Sequence, residues 1–271
     1  MSTRPSSLPP LHVVPPPAAS PRPTKIRVEG VRMVFPGDGQ PMTVLNDVHL
    51  ELRAGEIICI VGPSGCGKST LLNILGGFIR PTHGQVLIDG APVQGPDPRR
   101  IFVFQESSVF PWLTVEENIG FGLERLPRAE RRERVEHYVE IVGLQGFERS
   151  YPHQLSGGMK QRLEFARALA VQPDVLFLDE SFGALDSITR LKMRQELLRI
   201  WSVEPKTIIC VTHDIDEAVQ LSDRVVVMGA RPARVQRIVD IHLPRPRDLS
   251  DPRYLALRDS ILDEIGIAHA I

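Results

Sequence analysis

The chain reads as an α/β protein built on a mostly parallel sheet, and three observations lead there. The stretch Glu56–Thr70, EIICIVGPSGCGKST, passes from five apolar residues, Ile57 to Val61, through a glycine-rich turn into good helix formers at Leu71, Leu72, Ile74 and Leu75. Further short apolar runs stand at Val175–Leu178, Thr207–Val211 and Arg224–Met228, with helix-like segments at Ser187–Val203 and Asp214–Ser222 between them. Continuous apolar runs of this length suit strands buried on both faces, and their alternation with helices implies parallel neighbours under helical layers.

Residues 1–24 hold 8 of the 24 prolines and few large apolar residues, a composition expected of a disordered tail. From Ile26 the alternation Ile26, Val28 and Val31, Val34 predicts strands, broken by the turn-rich Pro36–Pro41 and resumed over Val44–Leu52. After the glycine-rich turn and its helix, Gln85–Ile88 reads as a strand, Asp89–Gly90 as a turn and Pro92–Pro98 as a loop. Ile101–Phe104 is then a short buried strand ending at Gln105.

The helical composition of roughly 106–158 interrupts the strand–helix alternation and predicts an inserted lobe. Within it, Val135, Tyr138, Val139 and Val142 share one face of a helix over Ala129–Val142, and i,i+4 Arg–Glu pairs cover the other. A second glycine-rich stretch, LSGGMKQR at Leu155–Arg162, opens another helix. The principal domain is expected to span 25–240, and 241–271 a short helical extension.

Composition narrows the function. With 42% hydrophobic and 24% charged residues the chain is of ordinary globular type, and 32 basic against 33 acidic residues give no electrostatic reason to expect nucleic acid. No apolar run approaches the ~18 residues that cross a bilayer, and prolines interrupt the N-terminus where a secretion signal needs an apolar core; a cytosolic chain is expected. Cys59, Cys66 and Cys210 fit no metal spacing. Cys59 and Cys210 are expected to be small buried hydrophobes, and Cys66 a small residue demanded by the turn.

The chemistry gathers at strand ends. Gly62, Gly67, Lys68 and Ser69 complete the pattern GxxxxGK[ST], whose glycines let backbone N–H groups converge on an anion at a helix N-terminus. In that pattern Lys68 reaches the β- and γ-phosphates and the Ser69 hydroxyl ligates Mg²⁺. The strand VLFLDE ends in Asp179, suited to a Mg²⁺ shell, and Glu180, suited to polarising an attacking water. His213 follows TIICVT and Gln105 follows IFVF at equivalent strand ends. Ser156, Gly157 and Gly158 form a second helix start able to receive phosphate, which invites a different nucleotide or a different face of one.

Taken together, these motifs resemble the ATP-binding subunit of ABC transporters across residues ~26–230. GPSGCGKST, comprising Gly62, Pro63, Ser64, Gly65, Cys66, Gly67, Lys68, Ser69 and Thr70, is similar to Walker A, and Gln105 to the Q-loop glutamine. Leu155, Ser156, Gly157, Gly158 and Met159 resemble the family signature, VLFLDE Walker B, Ala184–Leu185–Asp186 the D-loop, His213 the switch histidine, and Phe35 the aromatic that stacks on adenine. The resemblance implies a P-loop NTPase fold of the ABC-ATPase type, with a mostly parallel core sheet, an antiparallel β subdomain and an inserted helical subdomain.

It further implies ATP and Mg²⁺ as cofactors, the metal held by Ser69, Asp179 and Gln105, and hydrolysis by Glu180 with His213 and Gln105. The implied assembly is a head-to-tail homodimer, in which Ser156 and Gly158 of one copy meet the γ-phosphate held by the other. Two transmembrane permease subunits would bind around Gln105–Thr114, with a solute-binding protein reached through them and no nucleic acid involved. The chain would thus lie on the inner face of the cell membrane. VFPWLTVEENIGFGL (109–123), DESFGALDSITR (179–190) and VTHDIDEAVQLSDRVVVM (211–228) resemble the nitrate/sulfonate/taurine importer subfamily.

Two other classes fit less well. DNA-acting relatives carry a long coiled coil where only some fifty residues separate Gln105 from Leu155, and ribosome-acting ones carry two cassettes. A small-molecule kinase explains neither the signature nor His213. One departure stands out: Ser181 follows Glu180 where the family usually has proline, which relaxes the backbone beside the D-loop without removing a catalytic group.

Overall fold

A computed structural model describes residues 22–37, 39–104, 108–183 and 187–266, with the side chain of Thr189 set aside. In chain order the elements are β1 (Thr24–Phe35), β2 (Met42–Arg53), β3 (Ile57–Val61), α1 (Lys68–Gly76), β4 (His83–Ile88), β5 (Ala91–Pro92) and β6 (Arg100–Val103). The helices α2 (Val115–Gly120), α3 (Arg128–Ile141) and α4 (Gly157–Ala170) follow. The chain then alternates through β7 (Val175–Asp179), α5 (Ser187–Val203), β8 (Thr207–Val211), α6 (Ile215–Leu221) and β9 (Arg224–Met228), and ends with β10 (Val235–Asp240) and α7 (Pro252–Ile265).

These strands form two sheets. An antiparallel sheet has the order β2-β1-β4-β5, and a six-stranded sheet the order β10-β9-β3-β8-β7-β6. In the larger one β9, β3, β8, β7 and β6 are mutually parallel, and only β10 runs against its neighbour. β3 lies between β8 and β9, and all five of its residues are buried. Ile57, Cys59 and Val61 enter one core, under the helices, while Ile58 and Ile60 enter the other, under α1 and the antiparallel sheet. A strand that feeds two cores has no solvent face, so its sequence is apolar throughout rather than alternating. Cys59 and Cys210 sit side by side in this layer as free buried thiols.

Between β6 and β7 the chain leaves the sheet for α2, α3 and the N-terminal end of α4. Thr114 and Glu117 close a capping box at the start of α2, and the buried face of α3 is Tyr138, Val139 and Ile141, continued by Val142. On its outer face Arg132 pairs with Glu136 and Arg134 with Glu130.

The structure differs from the sequence reading in four places. Residues 22–24 lie within the expected tail, yet β1 begins at Thr24, Arg22 donates to the Gly55 carbonyl, and the Pro23 carbonyl accepts from Ala54 N–H. The first residue of the expected loop at Pro92–Pro98 is the second of the two-residue strand β5. The expected buried strand Ile101–Phe104 is an edge strand with Phe104 exposed. β10 was not foreseen, because Val239 alone among its residues is buried and VQRIVD carries only a weak apolar period. The rest of residues 1–24 lie outside the described residues.

Candidate nucleotide site

All five parallel strands share one carboxyl-end edge, where an open α/β sheet gathers its ligands. The loop leaving β3 is shaped by two glycines. Gly62 has φ +154°, and a Cβ there would meet the Met228 carbonyl oxygen at 2.5 Å; at Gly67, φ +123°, it would meet Val44 Cγ1 at 2.7 Å. The loop is thus wedged between the end of β9 and β2, and neither position has room for a side chain. Between them Ser64 and Gly65 are exposed, Pro63 is half-buried and Cys66 buried.

The helix that follows has no side-chain cap at its N-terminus. Helices α2, α4, α6 and α7 are capped by Thr114, Ser156, Asp214 and Asp251, whereas Gly67 offers α1 nothing, and its first turn holds no acidic residue. Its unpaired N–H groups and positive dipole end are left for an anion. Lys68 is buried and folds back, its Nζ donating to the carbonyls of Gly62 at 2.9 Å and Pro63 at 3.0 Å. Thr70, two positions further along the helix, is half-buried.

The second wall comes from β7. The exposed Ser69 hydroxyl donates to Asp179 Oδ1 at 3.2 Å, joining the phosphate loop to the neighbouring strand end. Burial raises the Asp179 carboxyl above its ordinary range, as does the charge of Glu180, with the Ser69 hydrogen bond and Lys68 partly offsetting both. A hydroxyl and a carboxylate at this spacing are the hard oxygen donors that Mg²⁺ takes alongside phosphate oxygens. Glu180 has φ +49°, a left-handed conformation costing a non-glycine residue about 1 kcal/mol. Its N–H donates to the Val211 carbonyl at 2.9 Å, which fixes the turn against β8. There His213 Nδ1 lies 3.5 Å from Glu180 Oε2.

Five of the expected site residues thus converge: Lys68, Ser69, Asp179, Glu180 and His213. The signature residues lie apart from them. Leu155 is buried, Ser156 and Gly157 are exposed, Gly158 and Met159 are half-buried, and a Cβ on Gly157 would meet open space. Ser156 Oγ accepts from Met159 N–H at 3.3 Å, so its hydroxyl caps α4. Among the described residues no hydrogen bond or ion pair joins this helix start to the phosphate loop. Gln105 and the D-loop residues Ala184, Leu185 and Asp186 lie outside the described residues.

Two residues take part that sequence reasoning assigned no such role. Arg231, on the loop after β9, donates to the Gly65 carbonyl of the phosphate loop and to Met42 Sδ. Met42 is the cross-strand partner of the half-buried Phe35, so this guanidinium links the aromatic edge of the antiparallel sheet to the loop. No motif flags an arginine so far along the chain. Ser181 is buried, its hydroxyl donates to the Val103 carbonyl at 2.8 Å, and its own carbonyl accepts from Gln161 Nε2 at 3.1 Å. The site can therefore cradle a polyphosphate, hold a divalent cation on Ser69 and Asp179, and set a carboxylate and an imidazole beside it.

Comparison with known proteins agrees with this geometry. The pattern of the family described as ABC transporter matches residues 45–183. The chain is 48% identical to an uncharacterised ABC transporter ATP-binding protein of Methanocaldococcus jannaschii, over 88% of this chain and 90% of that one. It is 46% identical to the nitrate import ATP-binding protein NrtD of Synechococcus elongatus, with 86% and 88% covered. To the aliphatic sulfonates import ATP-binding protein SsuB of Bacillus cereus it is 43% identical, with 88% and 95% covered. Among solved structures, the dimeric bacterial ABC transporter cassette MJ0796 superposes with a TM-score of 0.67 at 34% identity, covering 80% of this chain and 98% of that one. The same cassette in a dimeric post-hydrolysis state with ADP and Pi gives 0.65 at 32%, with the same coverage.

Proposed function

Because the chain belongs to the ABC transporter family and is an ATPase of that type, we propose that it powers uptake of a small solute of the nitrate or sulfonate kind through separate permease subunits. The observation that carries the site assignment is the convergence of Lys68, Ser69, Asp179, Glu180 and His213 on one sheet edge beside an uncapped helix start. Likeness to nitrate and sulfonate import proteins supports the direction and the solute class.

ATP supplies the transferable phosphoryl group, and Mg²⁺ neutralises its charge. In this reading Lys68 exchanges its two loop carbonyls for phosphate oxygens, while the N–H groups of Gly65–Thr70 line the polyphosphate. Phe35 provides a stacking face for the base, and Ser69 and Asp179 hold the metal, joined by Gln105. Glu180 polarises the attacking water, a contribution worth ~10²–10⁴-fold. His213 holds Glu180 in place and contacts the γ-phosphate side.

The exposed start of α4 meets the phosphates of a second copy, with Asp186 at the contact between copies, so two chains enclose two nucleotides. That arrangement draws support from the dimeric cassettes of similar fold. Residues Gln105–Thr114 face the permeases, a solute-binding protein delivers cargo on the far side, and the chain sits peripherally on the inner membrane face.

The test is hydrolysis by the purified chain. Lys68→Ala and Glu180→Gln should abolish it, and Glu180→Gln should sediment as a dimer with ATP. A Glu180→Gln variant that binds ATP yet stays monomeric sinks the sandwich. Co-purification with ribosomes or nucleic acid in place of a membrane permease sinks the transport role.

A further inference from the structure

Between β10 and α7 the chain crosses the outer side of α5 and α6 as a strap. Arg245 donates to Asp223 Oδ1 at 2.8 Å and to the Leu221 carbonyl, while Arg247 donates to the carbonyls of Val219 and Leu243. Val219 and Leu221 close the last turn of α6, so the two guanidiniums cap that helix C-terminus, where cations are favoured.

Under the strap lies a cavity of about 140 Å³. Leu198 and Trp201 of α5 and Leu249 of the strap form its apolar wall, and Arg194, Arg245 and Arg247 also line it. The guanidinium of Arg245 lies over the Trp201 ring, 5.0 Å from its centroid. Among the described residues no carboxylate lines this space. Asp214 and Glu217 pair with Arg194, and Asp223 with Arg245, but Arg247 forms no ion pair among the described residues. Its hydrogen bonds go to neutral carbonyls, and its Nη2 is buried without a partner. The Nε atoms of Arg194 and Arg245, residues 5% and 9% exposed, are buried and unpartnered as well. Burial pulls the Arg247 guanidinium down to about 9, and the Arg245 charge adds to the effect. Arg247 is half-buried, and the groups it bonds are carbonyls rather than a carboxylate, which leaves its charge without a paired counter-ion among the described residues.

We infer that the cavity under the strap binds a small organic anion, a carboxylate or sulfonate on one apolar ring or on a branched chain of similar bulk. Size sets the ring count, since a cavity of roughly 150 Å³ lined by apolar side chains admits one benzene ring. The charged end lies against Arg247, and the apolar body rests on Leu198 and Trp201. Occupancy ties the strap to α6, the helix that starts directly after His213, at a place outside the nucleotide site.

Benzoate is the probe, titrated into the full-length protein by calorimetry and by ligand-observed NMR, with benzyl alcohol and benzylamine as neutral and cationic isosteres. Saturable benzoate binding at one site per chain is expected, with benzylamine not binding. Arg247→Met keeps the stem and removes the charge, and should weaken benzoate about tenfold or more, the effect of losing a charge-assisted hydrogen bond. Ser202→Trp places bulk at the exposed rim and should block benzoate without altering the ATP affinity of the chain. Absence of saturable benzoate binding, equal binding of benzylamine, or unchanged benzoate affinity in a folded Ser202→Trp variant would overturn the assignment. Because the readout is binding at the strap, its failure leaves the ATPase reading untouched.

Discussion

Replacing Ser181 by alanine tests how this chain holds the backbone after Glu180 without a proline. The Ser181 hydroxyl is buried and donates to the carbonyl of Val103, itself 1% exposed, across 2.8 Å. Alanine removes the donor, leaves the methylene in place and admits no water. The loss is therefore that of one buried hydrogen bond with its acceptor left short of a partner, about 1.5 kcal/mol. For a chain of this size a kilocalorie moves the melting temperature by about 2–4 °C, so Ser181→Ala should melt about 3–6 °C lower. The assay is thermal unfolding of the nucleotide-free protein followed by circular dichroism. A shift under about 1 °C for Ser181→Ala would refute the tether.

Three further outcomes follow from the same geometry. Gly62→Ala sets a methyl 2.5 Å from the Met228 oxygen at φ +154°, and should abolish ATP binding measured by fluorescent-nucleotide titration; retained affinity would show that the loop can shift. Arg231→Ala should raise KM for ATP severalfold with kcat little changed, because the guanidinium braces Gly65 and touches no reacting group; a fall confined to kcat would count against bracing. Arg224→Met strands the buried Glu56 carboxylate, which Arg224 meets at 2.5 and 2.8 Å, and should cost about 3–5 kcal/mol in urea unfolding. A loss under about 1 kcal/mol would mean that water reaches Glu56.

Most of the parallel sheet was legible because β3, β7, β8 and β9 are buried on both faces and so spell their own boundaries: Thr207–Val211 and Arg224–Met228 begin and end where the apolar runs do. The phosphate loop was legible for a different reason, since its glycines answer to contacts from Met228 and Val44 that leave no room for another residue. β10 and β5 were not legible, because one pairs along an edge with a single buried residue and the other is two residues long. Arg231 was invisible for want of a local pattern: its importance comes from the loop after β9 lying against β2, where Asn46 N–H donates to the Ala233 carbonyl and Ala233 N–H to that of Val44. The left-handed turn at Glu180 is likewise a tertiary result, imposed by the Val211 carbonyl of a neighbouring strand. Ser181 was read as the loss of a constraint, but its hydroxyl and carbonyl are both tied down.

The position of β3 has a consequence for biosynthesis. Both hydrogen-bonded edges of this wholly apolar strand are supplied by β8 and β9, which lie far downstream and are complete only at Met228. At translation rates of roughly 5–20 residues per second, Ile57–Val61 leaves the ribosome on the order of ten to thirty seconds before its last partner does. Over that interval the strand carrying the phosphate loop is an unpaired, apolar and aggregation-prone segment. A nascent chain cut off before Thr207 would hold the full phosphate-loop sequence and both carboxylates, yet lack β8 and β9, the two strands that flank the one carrying the loop.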